Sequence, residues 1–266
     1  GVGYPVTLAS NIVKGSSPYT STVPIPATLT NAAVIRVRDT SFPALVYGDT
    51  STFKVIGQIT MHPVDNTPNS TSNWEAAATD KFVTWSHKGN LGDVNIRYKY
   101  NGGAYSAPIN IAAIPVANHS HNWTPIPNVI SENVQVKIES VNNPAEEYAE
   151  SAAFKIKGKF TLTDPGTLLS GAGYTIAWLN PVGQSTQITD VILEFFDGSA
   201  WSYIIPVSPY TVPNTESYGW TVPATVRSTI CKFRISDPDN SNATDETANF
   251  EIRPLMSVTA PTTAAK

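Results

Sequence analysis

The sequence repeats itself with a period of about one hundred residues, and this repeat constrains the fold more than any other feature. The segment Asn101-Gly102-Gly103-Ala104-Tyr105 in the middle of the chain returns near the end as Asp197-Gly198-Ser199-Ala200-Trp201. Tyr4 lies 101 residues before Tyr105, and Trp201 lies 96 residues after it. Three phenylalanines have the same two spacings: Phe53, Phe154 and Phe250. A repeat of this length predicts a series of similar domains rather than one large domain.

The repeat divides the chain into one partial copy, two complete copies and a tail. We predict a partial module at residues 1–59, complete modules at 60–159 and 160–255, and a linker-like tail at 256–266. Because the first copy contains only the second half of the series, we expect it to lack its N-terminal strands. Trimming of a longer array, strands that were not resolved and strands supplied by another chain are all open explanations. We expect a fragment of a longer array.

Within each copy, the sequence pattern is typical of short β-strands. Residues 94–100 alternate between apolar and polar side chains, which places the apolar ones on a single face of a strand. Asn101-Gly102 follows, and these residue types favour the positive φ angles of a hairpin turn. About seven such strands per hundred residues predict an immunoglobulin-like β-sandwich. The predicted fold class is therefore all-β, with tandem immunoglobulin-like sandwiches of which the first is incomplete at its N-terminus.

Several apolar residues are predicted to lie in the sandwich cores. Trp85 and Trp178 each end an apolar strand, a position typical of core packing. Cys231 alternates with Phe233 and Ile235 at positions that are apolar in the other copies, so we expect it to be a small core residue. Since Cys231 is the only cysteine, the chain has no internal disulfide.

The connections between strands carry the differences between the copies. Trp85 lies 9 residues before Val94, whereas Trp178 lies 13 residues before the equivalent Val191. At the second module junction, residues 154–163 run from one strand almost directly into the next, which predicts a semi-rigid connection. The first junction is richer in Pro, Asn and Ser and is expected to bend more.

Composition excludes some classes of function. Charged residues make up only 14% of the chain, against roughly 25% in soluble domains. The formal net charge of −4 and the absence of Lys/Arg clusters argue against nucleic acid as a partner. No run reaches the roughly eighteen apolar residues of a membrane span. Thr, Ser, Asn and Pro take the place of charges, a bias of extracellular β proteins.

The order of these motifs resembles a module that occurs in tandem in large bacterial cell-surface proteins, including surface-layer (S-layer) proteins. The resemblance rests on six motifs that follow one another in a fixed order. They are a strand ending in Trp (Trp85, Trp178), the pattern Val-x-Ile-x-Tyr (Val94 to Tyr98), an Asn/Asp-Gly turn (Asn101, Asp197), Trp-Thr (Trp123, Trp220), Arg-Ile-Ser-Asp (Arg234 to Asp237) and Phe-x-Ile (Phe154, Phe250). It implies an immunoglobulin-like spacer at the cell surface and no catalytic residues. Ser140 stands where the other copies have Asp39 and Asp237, so that Asp is not required in every copy.

Two clusters of side chains suggest metal ligands. The loop at residues 237–246 offers oxygen ligands for calcium from Asp237, Asp239, Asp245 and Glu246, although it lacks the Gly and Glu positions of an EF-hand. A solvated turn at the tip of the sandwich is the default interpretation of this loop, and calcium binding is the alternative. His119 and His121 lie on one face of an extended segment and could form a zinc pair, or be exposed loop histidines.

The sequence also contains candidate modification sites and lacks common enzyme motifs. The sequons Asn-x-Ser/Thr make four asparagines candidates for glycosylation: Asn69, Asn118, Asn122 and Asn242. Chance matches are also expected in a chain so rich in Asn and Thr. No nucleophile elbow, phosphate loop or His-Glu-x-x-His motif occurs, so we predict that the chain is not an enzyme.

The sequence therefore favours a structural role. We expect an extracellular, cell-surface glycoprotein fragment that self-assembles with other copies of the same protein and contacts cell-envelope glycans. The alternative is a carbohydrate-binding, adhesive or spacer module of a secreted multidomain protein. Tyr203, Tyr210 and Tyr218 would then provide stacking faces for sugar rings.

Overall fold

The computed structural model describes residues 4–13, 15, 18, 20–63, 73–110 and 112–255. Within these ranges the chain forms 23 short β-strands and two single-turn 3-10 helices, η1 (Val116–Asn118) and η2 (Gln184–Thr186). The prediction of an all-β fold is confirmed. Asn69 and the predicted tail beyond residue 255 lie outside the described residues.

The chain forms two compact units. Unit 1 comprises Gly1–Asn66, Phe82–Trp123 and Gln135–Ala153, and unit 2 comprises Thr67–Lys81, Thr124–Val134 and Phe154–Lys266. The predicted junctions near residues 59 and 159 each lie inside a unit. The division into modules stays a prediction, and we use copy one, copy two and copy three for residues 1–59, 60–159 and 160–255.

Unit 1 contains two small antiparallel pairs, a three-stranded sheet and further strands. Its strands are β1 (Thr30–Ala33), β2 (Arg36–Arg38), β3 (Tyr47–Asp49), β4 (Phe53–Val55), β5 (Gln58–Met61), nearly all of β7 (Lys81–Lys88), β8 (Asp93–Tyr100), β9 (Ile114–Pro115), β10 (Ser120–Trp123) and β12 (Tyr148–Glu150). β1 pairs with β4, β2 with β3, and β7 lies between β10 and β5. The second part of β11 (Ser131–Ser140) pairs with β12.

Apolar residues on alternate positions of β7 and β8 are buried, as the period of two predicts. Val83 and Trp85 in β7 and Val94 and Ile96 in β8 are fully shielded from solvent. The Trp85 indole Nε1 donates a hydrogen bond to the Val116 carbonyl at 2.8 Å. The predicted core position of Trp85 is therefore confirmed.

Unit 2 contains a complete two-sheet arrangement within copy three. Its strands are β6 (Asn73–Glu75), β13 (Phe154–Lys157), β14 (Thr161–Leu162), β15 (Leu168–Leu169), β16 (Gly173–Leu179), β17 (Asp190–Phe196), β18 (Trp201–Tyr203), β19 (Thr211–Pro213), β20 (Ser217–Thr221), β21 (Ser228–Ser236), β22 (Thr244–Glu246) and β23 (Phe250–Arg253). One sheet has the order β14-β16-β20, and the other has the order β15-β23-β21-β17-β18, with β19 on β17 and β22 on β21. β15 runs parallel to β23.

The core of copy three contains side chains from both sheets. Trp178 from the first sheet and Leu193, Phe233 and Ile235 from the second belong to one buried cluster. Cys231 is in the same cluster and fully buried, so its predicted role as a core residue is confirmed. Burial raises the pKa of its thiol above the ordinary value.

The same strand pairing occurs three times, at residues with the spacing of the sequence repeat. In copy one, a bulged antiparallel strand pair places Thr30 opposite Val55 and Ala33 opposite Phe53. The equivalent residue pairs are Ser131–Ile156 and Val134–Phe154 in copy two, and Ser228–Ile252 and Cys231–Phe250 in copy three. A second pair joins the following strands in matching register: Arg36–Asp49, Lys137–Glu150 and Arg234–Glu246. The sequence repeat is therefore also a repeat of backbone register.

Burial differs sharply between the copies. Val37 is 73% exposed, whereas the equivalent Ile138 and Ile235 are 0% exposed. Phe53 is 39% exposed, whereas Phe154 and Phe250 are buried. Among the described residues, copy one therefore has the strand pairing of the other copies, but Val37 and Phe53 are exposed.

Candidate functional site

The second predicted junction is a tightly packed connection. Only Gly158, Lys159 and Phe160 separate β13 from β14. A Cβ atom on Gly158 would lie 2.4 Å from Ile188 Cδ1, which is too close for any larger residue unless Ile188 moves. Since Ile188 is itself buried, the packing at this point favours glycine.

Gln184 fixes the backbone of this junction. Its side chain is fully buried. Gln184 Oε1 accepts a hydrogen bond from Lys159 N at 2.8 Å, and Gln184 Nε2 donates one to Lys159 O at 2.9 Å. The Gln184 side-chain amide thus bonds both the N–H and the C=O group of Lys159, as a neighbouring β-strand would.

Gln187 makes the same kind of contact with residues 128–130 of copy two. Gln187 Oε1 accepts from Ile130 N at 2.8 Å, and Gln187 Nε2 donates to Asn128 O at 2.8 Å. We call Gln184 and Gln187 the glutamine pair. Both lie in the longer connection between Trp178 and Val191 that distinguishes copy three, and part of this connection forms η2. The length difference was visible in the sequence, but the contacts of the two amides were not.

The first predicted junction has a related contact. A Cβ atom on Gly57 would lie 2.2 Å from Leu91 Cδ2, and Leu91 occupies the position equivalent to Ile188. Glu147, which is buried, accepts a hydrogen bond from Gly57 N at 2.8 Å. A carboxylate therefore holds this junction where an amide holds the second. An open cleft of about 710 Å³ lies beside it, lined by apolar residues such as Ile56 and Leu91 and by polar ones such as Lys54 and Asn142.

A recurring group of three side chains lies on the surface of each copy. An aromatic ring lies near a cation on the repeated strand pair, and an acid stands opposite that cation in register. We call this the aromatic–cation–acid trio; its members are Tyr4, Arg36 and Asp49 in copy one, Tyr105, Lys137 and Glu150 in copy two, and Trp201, Arg234 and Glu246 in copy three. The cation lies 4.2 Å from the ring centroid in copies one and three and 5.7 Å from it in copy two.

The acid–cation contacts differ in strength. In copy one, Arg36 Nε and Nη2 donate to the two Asp49 oxygens at 2.7 and 2.6 Å, a bidentate pair. In copy three, Arg234 Nη1 lies 3.6 Å from Glu246, and Arg234 Nε donates instead to Glu194 at 2.7 Å. The hydrogen bond to Glu194 raises the pKa of the Arg234 guanidinium.

Copy two differs again, because Lys137 donates to Glu139 at 2.9 Å and Arg97 donates to the same carboxylate at 2.6 Å. Burial opposes ionisation of Glu139, but these two hydrogen bonds outweigh it and hold its pKa below the ordinary value. Burial, followed by the nearby Glu150, raises the pKa of the Tyr105 phenol. In each copy, the contact between the aromatic ring and the cation links the aromatic residue to the repeated strand pair.

The four side chains of the predicted calcium site have contacts of their own. Asp237 is buried and accepts from Asp239 N at 2.9 Å. Burial raises the pKa of the Asp237 carboxyl against the effect of that hydrogen bond. Asp245 accepts from Leu162 N at 2.7 Å, and Glu246 pairs with Lys232 and Arg234. In the part of the chain that the structure describes, no group of three or more His, Cys, Asp and Glu side chains could hold a metal ion. Calcium binding stays a prediction.

The contact of Asp237 is an anchor for a turn, and it recurs. Asp39 accepts from Ser41 N at 2.7 Å and Phe42 N at 2.9 Å. Ser140 accepts weaker hydrogen bonds from the amides of residues 142 and 143, at 3.3 and 3.4 Å. A hydroxyl therefore performs in copy two what a carboxylate performs in the other copies. The Asp is dispensable, as the sequence indicated, but the turn anchor is present in all three copies.

The predicted histidine pair is arranged differently in the structure. His119 Nε2 lies 3.1 Å from His87 Nδ1, a residue of the neighbouring strand that sequence reasoning had not considered. His121 is half-buried, and burial lowers the pKa of its imidazole. His119 lies between η1 and β10, and its described side-chain contact is with His87 of β7.

Three of the four predicted glycosylation sites lie in the described ranges. Asn118, Asn122 and Asn242 are all exposed. Asn242 also accepts a hydrogen bond from Lys157 Nζ at its backbone oxygen, at 2.7 Å, which leaves its side chain outside that contact. Glycosylation stays a prediction.

The three tyrosines proposed as sugar platforms fall into two groups. Tyr203 and Tyr210 are stacked, with ring centroids 4.5 Å apart and an angle of 20° between the ring planes. They are 47% and 36% exposed. Tyr218 instead packs against the core of copy three. Only Tyr203 and Tyr210 therefore form an exposed aromatic surface.

Comparison with known proteins yields no relative: no protein-family model matches the chain, and no curated protein matches it. Among the described residues, no helix has the length and apolar character needed to cross a bilayer.

Proposed function

We propose that the chain is a structural part of an extracellular cell-surface protein, in which immunoglobulin-like β-sandwich modules follow one another through stiff junctions. Self-assembly with other copies and contact with envelope glycans are the interactions that this role requires. In this proposal the chain performs no catalysis. The resemblance to surface-layer modules and the repeated backbone register support it.

The glutamine pair is the observation that carries the proposal. A flexible linker exposes its backbone to water and needs no buried side-chain partners. Here Gln184 is desolvated and holds both backbone groups of Lys159, while Gln187 holds Ile130 and Asn128. An amide buried without these bonds would cost about 1–3 kcal/mol, so the junction favours one conformation. Stiff junctions are what a spacer or a lattice protein needs.

Junction stiffness can be measured by NMR relaxation on the whole chain. We expect residues 128–134, 154–162 and 184–188, all in unit 2, to share one rotational correlation time with the core of copy three. The double variant Gln184→Ala, Gln187→Ala should lower the order parameters of residues 128–130 and of residues 158–160. Gln58→Ala, at an exposed position of β5, is the matched control and should change neither. Independent tumbling in the unsubstituted chain would contradict the proposal.

The assembly part of the proposal has its own test. Electron microscopy of the concentrated protein, with and without millimolar calcium, should show sheets or filaments. Persistent monomers under both conditions would contradict self-assembly by this chain. They would leave the stiffness measurement unaffected, so the two parts can fail separately.

A second candidate function is carbohydrate binding, and the stacked pair of Tyr203 and Tyr210 favours it. Exposed aromatic rings provide the flat apolar faces on which sugar rings pack. Tyr210 also has a positive φ of 65°, a backbone conformation that is uncommon for a residue other than glycine. A polysaccharide pull-down with the protein and with Tyr203→Ala tests this function. Tyr100→Ala, at an exposed position in unit 1, is the control. Equal retention of all three proteins would contradict the role of the pair.

A further inference from the structure

Two histidines of copy two bring their ring nitrogens together within unit 1. His119 Nε2 lies 3.1 Å from His87 Nδ1, and the two ring centroids lie 5.1 Å apart. His119 is exposed and His87 is half-buried, so ions in solution can reach the pair. Imidazole nitrogen is a preferred ligand of zinc, copper and nickel. The contact therefore places two metal ligands side by side.

The separation of the two nitrogens suits a single metal ion. Zinc binds imidazole nitrogen at about 2.0–2.1 Å, so two such bonds to nitrogens 3.1 Å apart meet at the ion at roughly 100°. This angle lies between the right angle of octahedral coordination and the wider angle of tetrahedral coordination. A neutral imidazole carries its proton on either ring nitrogen. The ring that donates the present hydrogen bond can therefore change tautomer and offer its lone pair to the metal.

The backbone around both histidines is fixed by contacts near Trp85. His119 follows η1 with a positive φ of 58°. Its N–H donates to the Val116 carbonyl at 3.3 Å, and its carbonyl accepts from Trp85 N at 3.0 Å. His87 lies two residues after Trp85 on β7, opposite Ile59 of β5. Ligands on a fixed backbone lose little freedom when they bind, which favours metal affinity.

Copy three builds the same backbone arrangement without histidines. Trp178 N donates to the Glu216 carbonyl at 3.0 Å, and Glu216 also has a positive φ, of 64°. By these contacts Glu216 corresponds to His119, and Asn180, two residues after Trp178, corresponds to His87. Since the fold accepts Asn and Glu at these positions, it does not require histidines there. The two imidazoles are therefore a property of the side chains of copy two and not of the repeated backbone.

We propose that His87 and His119 together bind a divalent metal ion that prefers nitrogen ligands, with zinc as the expected ion. His87 binds through Nδ1 and His119 through Nε2. Zinc takes four ligands in most protein sites, so water completes the coordination. In this site His87 takes the place of His121 in the pair that the sequence suggested. The inference goes beyond the proposed function, which requires no metal.

The test is a zinc titration of the whole chain, prepared without a histidine tag and followed by NMR of its four histidine rings. We expect saturable binding at sub-millimolar zinc. The largest ¹⁵N shifts should occur at His87 Nδ1 and His119 Nε2, because these nitrogens bond the ion. Calcium or magnesium at the same concentration should shift neither ring, since both ions prefer oxygen ligands.

Variants of each histidine show which rings bind the metal. His87→Asn and His119→Asn should each weaken zinc binding at least about tenfold, because the remaining imidazole loses its chelating partner. Asn is the residue of copy three at the first position and tolerates the positive φ of the second, so both variants should fold, which circular dichroism checks. His62→Asn and His121→Asn are the matched controls and should leave zinc affinity unchanged.

Three results would overturn the inference. They are the absence of saturable zinc binding, zinc shifts that leave the His87 ring unchanged, and a loss of affinity in His121→Asn that His87→Asn does not show. The last would return the site to the pair His119 and His121. None of them would alter the relaxation of the junction at residues 158–160, so the proposed function can stand or fall separately.

Discussion

Copies one and three build the same strand pairs in very different surroundings. In both, a bulged pair precedes a second pair in matching register, and an arginine on the second pair lies 4.2 Å from an aromatic ring. In copy three these strands cover a core that contains Trp178 and Phe233. In copy one the equivalent positions are exposed at Val37 and Phe53 and half-buried at Ala33 and Val55. The pairing therefore does not depend on the core beneath it.

The difference in burial between copies one and three separates the local contacts that set strand register from the tertiary contacts that bury side chains. Register in copy one is set by contacts within the strand pairs, among them the turn anchor at Asp39 and the bidentate pair of Arg36 and Asp49. Burial, in contrast, requires a facing sheet and a neighbouring strand such as β17. Local contacts specify which residues meet, and burial supplies most of the stability.

The largest expected effect compares equivalent core positions. Ile235→Ala should destabilise copy three by about 2–5 kcal/mol, because it leaves a cavity in a closely packed core. Val37→Ala, 198 residues earlier and at the same repeat position, should change stability by less than about 0.5 kcal/mol. Hydrogen exchange of the β21 and β2 amides in urea measures each effect locally. A large effect of Val37→Ala would mean that copy one has a covered core in solution, and it would break the comparison.

The sequence predicted the elements whose cause is local or periodic. Alternation predicted the strands, the repeat predicted the matching pairs, and apolar neighbours predicted the burial of Trp85, Trp178 and Cys231. It did not predict that Gln184 and Gln187 fix a junction, since an amide's partners are set by backbone groups distant in sequence. It also could not foresee that Asp245 accepts a hydrogen bond from Leu162, because only the fold brings the two together.

A smaller effect concerns the turn anchors, which differ in burial. Because burial raises the pKa of Asp237, its charged form carries a cost at every pH above that pKa. Asp237→Asn should therefore stabilise copy three by up to about 1 kcal/mol at pH 7, while its side-chain oxygen still accepts from Asp239 N. This gain in stability should vanish as the pH falls below the ordinary pKa range of a carboxyl group. Asp39→Asn, at the equivalent exposed anchor, should give no such gain.

Thermal unfolding of both variants at pH 7 and pH 3 measures this effect. The same samples test the calcium prediction. If calcium binds at the loop, millimolar calcium should raise the unfolding temperature of the unsubstituted protein, and Asp237→Asn should remove that increase. Destabilisation by Asp237→Asn at pH 7 without calcium would contradict the assigned cost of the buried charge.

The smallest effect concerns the bidentate pair in copy one. Hydrogen bonds from Arg36 hold the pKa of Asp49 below its ordinary value. An acid with a lowered pKa contributes stability above its unfolded pKa, near 4, and that contribution is lost as the pH falls through the folded value. Protection of the β2 and β3 amides should therefore weaken below pH 4, whereas β21, which has a core beneath it, should keep its protection there.

NMR titration of the Asp49 carboxyl tests this directly. Arg36→Gln should return its pKa to the ordinary range and remove the acid sensitivity of the β2–β3 pair. Arg38→Gln, two residues along the same strand, is the matched control. Since Val37 in β2 and Tyr47 in β3 are exposed, a weak exposed ion pair should have a measurable effect here that it would not have in copy three. An ordinary pKa for Asp49 in the unsubstituted chain would show that other contacts set the register of copy one.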